Sequence, residues 1–204
     1  MDGGAEVSGT VTSPVDKTGK PLSAWIDLNP VDSNETIQAK VHSDNQFLTH
    51  VSPGAYNLEV KANNGWIAAS VELEERNILD EGLTISGPRK IHLKVALARE
   101  AAELKGSIVD ADGKAVSGAT VVVMPEPGLR ANPARFRNVE TDQSGHFAMS
   151  SAMPGNYAVI AAMDLEDGIW FDPDFQRAAE AKAEAVVLRS NGKATVKLMA
   201  VTVP

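Results

Sequence analysis

The residue types that carry most enzyme chemistry are sparse and scattered in this 204-residue chain. It has no cysteine, which excludes disulfides, thiolate zinc sites and cysteine nucleophiles. No G-x-S-x-G motif occurs, and the serines fall in predicted turns. The histidines are not spaced as helical metal ligands, and solvent-exposed side chains are their simplest interpretation; they are His42, His50, His92 and His146. The sequence therefore predicts a non-enzyme with no catalytic residue, no metal site and no cofactor.

Asp110, Asp112 and Gly113 form a D-x-D-G fragment like the start of a calcium loop. A complete loop would continue to another oxygen ligand and a bidentate glutamate, and neither follows. A hairpin turn with glycine at a positive φ already explains the three residues, so we favour the turn.

An acidic loop from Asp164 to Asp174 holds five carboxylates around Trp170 and Phe171. Aromatic rings and acidic acceptors could bind a sugar or a calcium ion, which makes Trp170, Phe171 and Asp172 candidate ligand-binding residues. Alternatively, the aromatic side chains plug the open end of a β-sandwich while the carboxylates face water. We favour the plug, because aromatic side chains bury large areas.

Trp25 is the other candidate ligand-binding residue. If Ile26 and Leu28 point inward on a strand, then Trp25 and Asp27 point away from the core. An outward tryptophan on a sheet is unusual unless it is covered. It either stacks on a sugar ring or lies beneath a second domain, and packing between domains is the favoured interpretation.

Composition limits the partners. The net charge of −8 and the isoelectric point near 5.0 disfavour nucleic acid and anionic membranes. No apolar stretch approaches the roughly 20 residues of a spanning helix, so no membrane insertion is expected. The opening residues MDGGAE lack the basic start and apolar middle of a signal peptide. Carbohydrate or another protein remains as the expected partner, and no oligomeric state is predicted.

An internal repeat is the most informative feature. SDNQFLTHVSPGAYNLEVKA (43–62) and TDQSGHFAMSSAMPGNYAVIA (141–161) both read an Asp, a Phe, Pro-Gly-x-Tyr and an apolar run. Further matches occur in the same order: 6–11 with 103–108, 19–30 with 113–125, and 91–98 with 194–201. A repeat of this length indicates tandem domains, which we place at residues 1–99 and 100–204.

The repeated segments have the pattern of strands and turns. Tyr56, Leu58 and Val60 alternate with polar residues, which is the period of a half-buried strand. Turns are expected at 16–19 and 110–113, and the two Pro-Gly pairs suit type II turns. About seven short strands per half predict two Greek-key β-sandwiches, an all-β fold. The Ala- and Glu-rich stretch after Asp172 predicts one short helix near 173–182 with Asp172 as N-cap.

These residues resemble the carboxypeptidase regulatory-like domain, most closely in the segment GSIVDADGKAVSGATVVVMP (106–125) and the motif T-D-x-x-G-x-F at 141–147. The first half is similar in a looser way, because it lacks one glycine and has a shortened SDNQF. The resemblance implies a transthyretin-like, seven-stranded β-sandwich with a fold similar to that of starch-binding carbohydrate modules. It also implies a non-catalytic accessory or adhesion-like role and supplies no catalytic residues.

Tandem domains of this kind resemble those of multi-repeat bacterial envelope proteins, and the resemblance implies a non-enzymatic tandem β-sandwich module of a bacterial envelope or secreted protein, located outside the cytoplasm. Its role would be structural, adhesion-like or binding. The alternative is a carbohydrate-binding module that uses exposed aromatic side chains.

Overall fold

The computed structural model describes residues 4–13, 22–33 and 35–202, and the predicted turn at 16–19 lies outside them. Contacts between Cα atoms divide the chain into two compact units, residues 1–99 and 100–204. Each unit contains two β-sheets whose inner faces share a hydrophobic core. The chain is therefore all-β apart from one α-helix and three short 3₁₀ helices among the described residues.

The first unit contains nine strands among its described residues. They are β1 Ala5–Thr12, β2 Ala24–Pro30, β3 Ile37–Lys40, β4 Gln46–Val51, β5 Gly54–Ala62, β6 Ile67–Leu73, β7 Arg76–Asn77, β8 Leu83–Ile85 and β9 Lys90–Ala98. One sheet has the order β4-β1-β9-β6-β7 and the other β3-β2-β5-β8. All neighbouring strands are antiparallel except β1 and β9, which are parallel.

The second unit contains seven strands among its described residues. They are β10 Ala102–Val109, β11 Thr120–Pro125, β12 Arg137–Glu140, β13 His146–Ala152, β14 Gly155–Ala162, β15 Glu184–Leu188 and β16 Lys193–Met199. The sheet orders are β13-β10-β16 and β12-β11-β14-β15. The first and last strands, β10 and β16, are again parallel neighbours.

The first unit has nine strands among its described residues, two more than the seven expected from the sequence. The segment after β5 forms the extra strands β6 and β7 at the edge of the sheet next to β9. The stretch 77–88 has no alternating pattern, yet it contains β8, which pairs with β5. Ile78, Leu79 and Leu83 are buried there, so core packing determines the structure of a segment without alternation.

A glycine and a phenylalanine face each other on neighbouring strands at the same place in both units. Gly9 lies opposite Phe47, and Gly106 lies opposite Phe147. A Cβ atom added to Gly9 would lie 2.5 Å from the Phe47 ring, and one added to Gly106 would lie 2.6 Å from the Phe147 ring. The rings therefore pack directly on bare backbone, which is why both residue types recur in the repeat.

The Pro-Gly-x-Tyr motif ties each tyrosine to the chain just before the proline. The hydroxyl of Tyr56 donates to the carbonyl of Ser52, and that of Tyr157 donates to the carbonyl of Met153, both at 2.8 Å. The expected type II turns are absent. Gly155 has a φ of 157°, and the φ of Gly54 is not positive, whereas a type II turn requires about +80°. Both glycines already begin strands, so the motif is a strand start anchored by tyrosine.

Tyr157→Phe should lower the free energy of unfolding of the second unit by about 1 kcal/mol, because the buried Met153 carbonyl loses its donor while packing is kept. Urea unfolding followed by the fluorescence of Trp170, the single tryptophan of residues 100–204, measures this change. An unchanged urea midpoint would contradict the anchoring role.

Two turns of the second unit use an aspartate in the same way. Oδ1 of Asp110 accepts hydrogen bonds from two backbone N–H groups, and Oδ1 of Asp142 accepts from the N–H groups of His146 and Ser144. The hydrogen bonds that Asp142 accepts from the backbone of His146 and Ser144, with that of His146 the larger cause, lower the pKa of the Asp142 carboxyl. Gly113 has a φ of 80°, as the predicted hairpin turn requires, so the D-x-D-G fragment is a turn.

Candidate binding surfaces

Trp25 lies on the outer face of the sheet formed by β3, β2, β5 and β8. Its neighbours along the strand, Ala24 and Ile26, belong to the core, whereas Trp25 is half-buried and outside the core cluster. Lys40 and Lys61 lie directly opposite it on the two adjacent strands. The outward orientation predicted for Trp25 is therefore found, on a face where its two cross-strand neighbours are lysines.

Asp27 shares this outer face, yet it is fully buried. Its Oδ1 accepts a hydrogen bond of 2.9 Å from the Gln38 amide, and its Oδ2 lies 2.7 Å from the Lys61 ammonium. Glu59 stands directly opposite Asp27, and its carboxylate lies 3.5 Å from the same ammonium. One lysine therefore bridges two carboxylates that would otherwise repel each other.

Sequence reasoning placed Asp27 on the outer face but missed this cluster. The signal was the register: on antiparallel strands, an aspartate at position 27 and a lysine at position 61 become diagonal neighbours once Trp25 pairs with Lys61. The hydrogen bond with Asp27 raises the pKa of the Lys61 ammonium, with burial opposing it and the charge of Glu59 adding to it. The lysine is therefore held in its charged form, which suits ion pairing and not nucleophilic attack.

Lys61→Met should lower the free energy of unfolding of the first unit by about 1–2 kcal/mol at neutral pH, because the Asp27 carboxylate stays buried without its cation. Removing a partner from a fully buried pair costs about 3–5 kcal/mol, and the half-exposed Lys61 reduces that figure because water reaches the site. Denaturant unfolding followed by Trp25 and Trp66 fluorescence measures the loss.

Lys40→Met is the matched control, because Lys40 lies on the same face and forms no ion pair with any described residue. It should change stability little. The pKa of Lys61 is raised in the folded protein. The contribution of Lys61 to the free energy of unfolding is therefore fully present below the ordinary pKa of 10.5, and it is lost as the pH rises through the pKa of the folded state. The two variants should therefore converge at high pH, and equal losses at pH 7 would refute the bridging role.

The predicted loop residues Trp170, Phe171 and Asp172 lie in the second unit, at the start of helix α1, Pro173–Glu180. Asp172 is the N-cap, as predicted, because its Oδ1 accepts from the N–H groups of Asp174 and Phe175 at 2.7 Å and 3.1 Å. This side chain is therefore already used by the helix. Phe171 is 47% exposed, with its ring edge-on to Phe136 at 5.2 Å between centroids.

Trp170 is buried, with only 6% of its surface exposed. It packs with Phe175 of α1 against Val122, Met124 and Ile160 on the outer face of the sheet formed by β12, β11, β14 and β15. The predicted plug is thus a buried aromatic side chain, but it covers a sheet face and not the open end of the sandwich. It also explains why β11 and β14 are apolar on both faces.

The histidines form no metal site within the part of the chain that the structure describes, where no group of three His, Asp or Glu side chains could hold an ion. Ser8 lies on β1, although the serines were expected in turns. Its Oγ is 3.3 Å from Nδ1 of His92. The Ser8 hydroxyl also donates to the Ile91 carbonyl at 3.2 Å, and the pair lies on an exposed sheet face.

A shallow groove of about 1,120 Å³ follows the outer face of the sheet formed by β13, β10 and β16. Its lining includes the small side chains of Ser107, Ala148 and Thr195 together with Lys105 and Lys197. The sequence analysis missed this groove, because alternation marks which residues face outward but not how the sheet curves.

No protein-family model matches the chain, and no curated protein matches it either, so the resemblance to the carboxypeptidase regulatory-like domain stays a prediction. None of the helices among the described residues is long and apolar enough to cross a membrane.

Solved structures similar to the chain include three bacterial proteins. The Bacillus anthracis TIE protein is 16% identical, with a TM-score of 0.35. The match covers 98% of this chain but only 34% of the length of the TIE protein. The minor pilin GBS52 of Streptococcus agalactiae is 15% identical, with 98% of this chain and 97% of that one covered and a TM-score of 0.39. The shaft pilin SpaA of Lactobacillus rhamnosus GG is 11% identical, with 98% and 99% covered and a TM-score of 0.33. With TM-scores this low, neither fold nor function is inferred from these likenesses.

Proposed function

We propose that this chain is a non-catalytic structural module of a bacterial envelope or secreted protein, built from two sandwich domains at residues 1–99 and 100–204 and located outside the cytoplasm. Its role is to span distance and bear load between other parts of a longer polypeptide or between protein partners. No nucleic acid and no membrane insertion is part of the proposal.

The parallel pairing of first and last strands supports this role. Ala5–Thr12 runs alongside Lys90–Ala98 in the same direction, and Ala102–Val109 does the same with Lys193–Met199. The chain therefore enters each unit at one end of a strand pair and leaves at the other. A nine-residue strand covers about 30 Å, so each unit adds length to the path of the chain instead of folding back to its starting point.

Parallel terminal strands also resist tension well. When force acts on the start of β10 and the end of β16, the two strands slide past each other, and the hydrogen bonds along seven residue pairs are loaded together. When force acts at one end of the pair, the same bonds open one after another. The geometry therefore favours resistance along the direction in which a spacer is pulled.

A pulling experiment on the full chain tests the proposal. The absence of natural cysteines allows attachment at chosen sites. Cysteines at Glu103 and Met199 load the β10–β16 pair lengthwise, whereas cysteines at Val109 and Met199, which lie directly opposite each other, open it from one end. We expect a clearly higher unfolding force for the first pair. Equal forces, or a lower force for the first pair, would overturn the load-bearing role.

Carbohydrate binding is the second candidate, because Trp25 lies outside the core on a face with amide, ammonium and carboxylate groups. The test is a glycan array with the full chain. Binding that is lost in Trp25→Ala and kept in Val31→Ala, which removes an exposed apolar side chain next to β2, would support it. Absence of binding to any glycan would leave the spacer role alone.

A further inference from the structure

The two units differ at the same edge of the same sheet. In the first unit the last strand, β9, has a neighbour on each side, β1 in parallel and β6 antiparallel. In the second unit β16 pairs with β10, and no described strand pairs with its other edge along Lys193–Met199. The segment that forms β6 and β7 in the first unit is replaced in the second by the 3₁₀ turn at Ile169–Phe171 and α1, which cover the other sheet.

The missing neighbour leaves core positions of β16 partly uncovered. Gly9 and Gly106 are equivalent positions of the two units, and in the parallel register Gly9 pairs with Leu93 and Gly106 pairs with Val196. Leu93 and Val196 are therefore equivalent positions as well. Leu93 is fully buried, whereas Val196 is only half-buried although it packs against the core. The backbone N–H and C=O groups of such an edge are a template for another strand.

The first unit shows what kind of strand fits this edge. Across from β9, Val71 lies opposite Val95 and Glu72 lies opposite Lys94. The aligned positions of β16 are Leu198 and Lys197. Lys197 forms no ion pair with any described residue, whereas the other exposed lysine of this strand, Lys193, lies 3.3 Å from the Glu103 carboxylate. A complementary strand therefore carries an apolar residue opposite Leu198 and an acidic residue opposite Lys197.

We propose that the open edge of β16 binds an extended segment of another polypeptide chain, which adds antiparallel to the sheet as β6 adds to β9. The ligand class is an extended peptide in which apolar and polar residues alternate and which has an acidic residue opposite Lys197. Main-chain hydrogen bonds supply the binding, and the alternating side chains supply the specificity. This inference goes beyond the proposed spacer role and does not depend on it.

A peptide with the sequence of residues 66–74, WIAASVELE, is the probe, because it carries the strand that fills this edge in the first unit. It is titrated into the ¹⁵N-labelled full chain. We expect amide shifts and slowed hydrogen exchange confined to Lys193–Met199 and the adjoining core, with the amides of β9 unchanged as an internal control. A peptide with proline in place of Val71 should have no effect, because it cannot extend the sheet.

Lys197→Glu supplies the second arm, since this exposed substitution leaves the core intact. The dissociation constant for the probe should rise roughly five-fold, because an attractive cross-strand pair becomes a repulsive one. Lys105→Glu, an exposed lysine on the neighbouring strand, should leave the constant unchanged.

Three results would overturn the proposal. The first is the absence of shifts at β16 at the highest soluble peptide concentration, and the second is equal shifts with the proline peptide. The third is a dependence of the β16 shifts on protein concentration without peptide, because a second copy of this chain would then occupy the edge. None of these results bears on the pulling experiment.

Discussion

Gly106→Ala should destabilise the second unit by about 3 kcal/mol or more and prevent its folding at moderate temperature. The new Cβ atom would stand 2.6 Å from the Phe147 ring and 2.5 Å from the Val196 carbonyl oxygen. The carbonyl belongs to the strand paired with β10, and the ring is buried, so neither can move without opening the sheet. Overpacking of this kind costs about 1–3 kcal/mol even where side chains can adjust, and here backbone is in the way.

Gly128→Ala is the matched control, because no atom lies within 4 Å of a Cβ at that position and its φ is not positive. It should leave the urea midpoint of the second unit nearly unchanged, as reported by Trp170 fluorescence. Gly9→Ala should repeat the large effect in the first unit, with Gly87→Ala as its control. If Gly106→Ala were as stable as Gly128→Ala, the packing of Phe147 on bare backbone would be wrong.

Trp170→Ala should cost about 3–5 kcal/mol, because it removes a large buried side chain that packs between helix α1 and the sheet. Val122, Met124 and Ile160 would then be exposed, and α1 would lose its main contact. Circular dichroism during thermal unfolding measures the loss, since the variant no longer has a tryptophan in the second unit.

Phe171→Ala, one residue further along, is the control for Trp170→Ala. Its ring is 47% exposed and lies edge-on to Phe136 and Trp170, so its loss should cost less than about 1 kcal/mol. A similar cost for the two variants would contradict the buried role of Trp170. A stable Trp170→Ala protein would reopen the interpretation of Trp170 as a ligand-binding residue.

The parts of the fold that follow from local chemistry were predictable from the sequence. Alternation placed the inward residues of β5, the D-x-D-G fragment placed a turn, and Asp172 followed by Pro173 placed the start of α1. Each of these depends on residues that are close in the chain, so a single sequence contains the signal.

The rest depended on contacts between distant segments. Burial of distant residues decides that the segment after β5 extends the sheet beside β9, whereas the helix after β14 covers the other sheet. The bridging of Asp27 and Glu59 by Lys61 needs the register of two strands, which alternation alone does not specify. The parallel pairing of first and last strands was likewise not predicted, since it joins residues at opposite ends of each unit's sequence.

The same pairing has a consequence for the order of events during synthesis. β1 and β9 are joined by contacts such as that of Ser8 with Ile91, 83 positions apart, so the first unit cannot close its sheet until nearly all of its residues have left the ribosome. Such non-local topology makes folding slow, because the entropy of a long loop is lost before the final strand docks. The first unit is nonetheless complete before the second has been translated, and this sequential maturation limits mispairing between the two similar sets of strands.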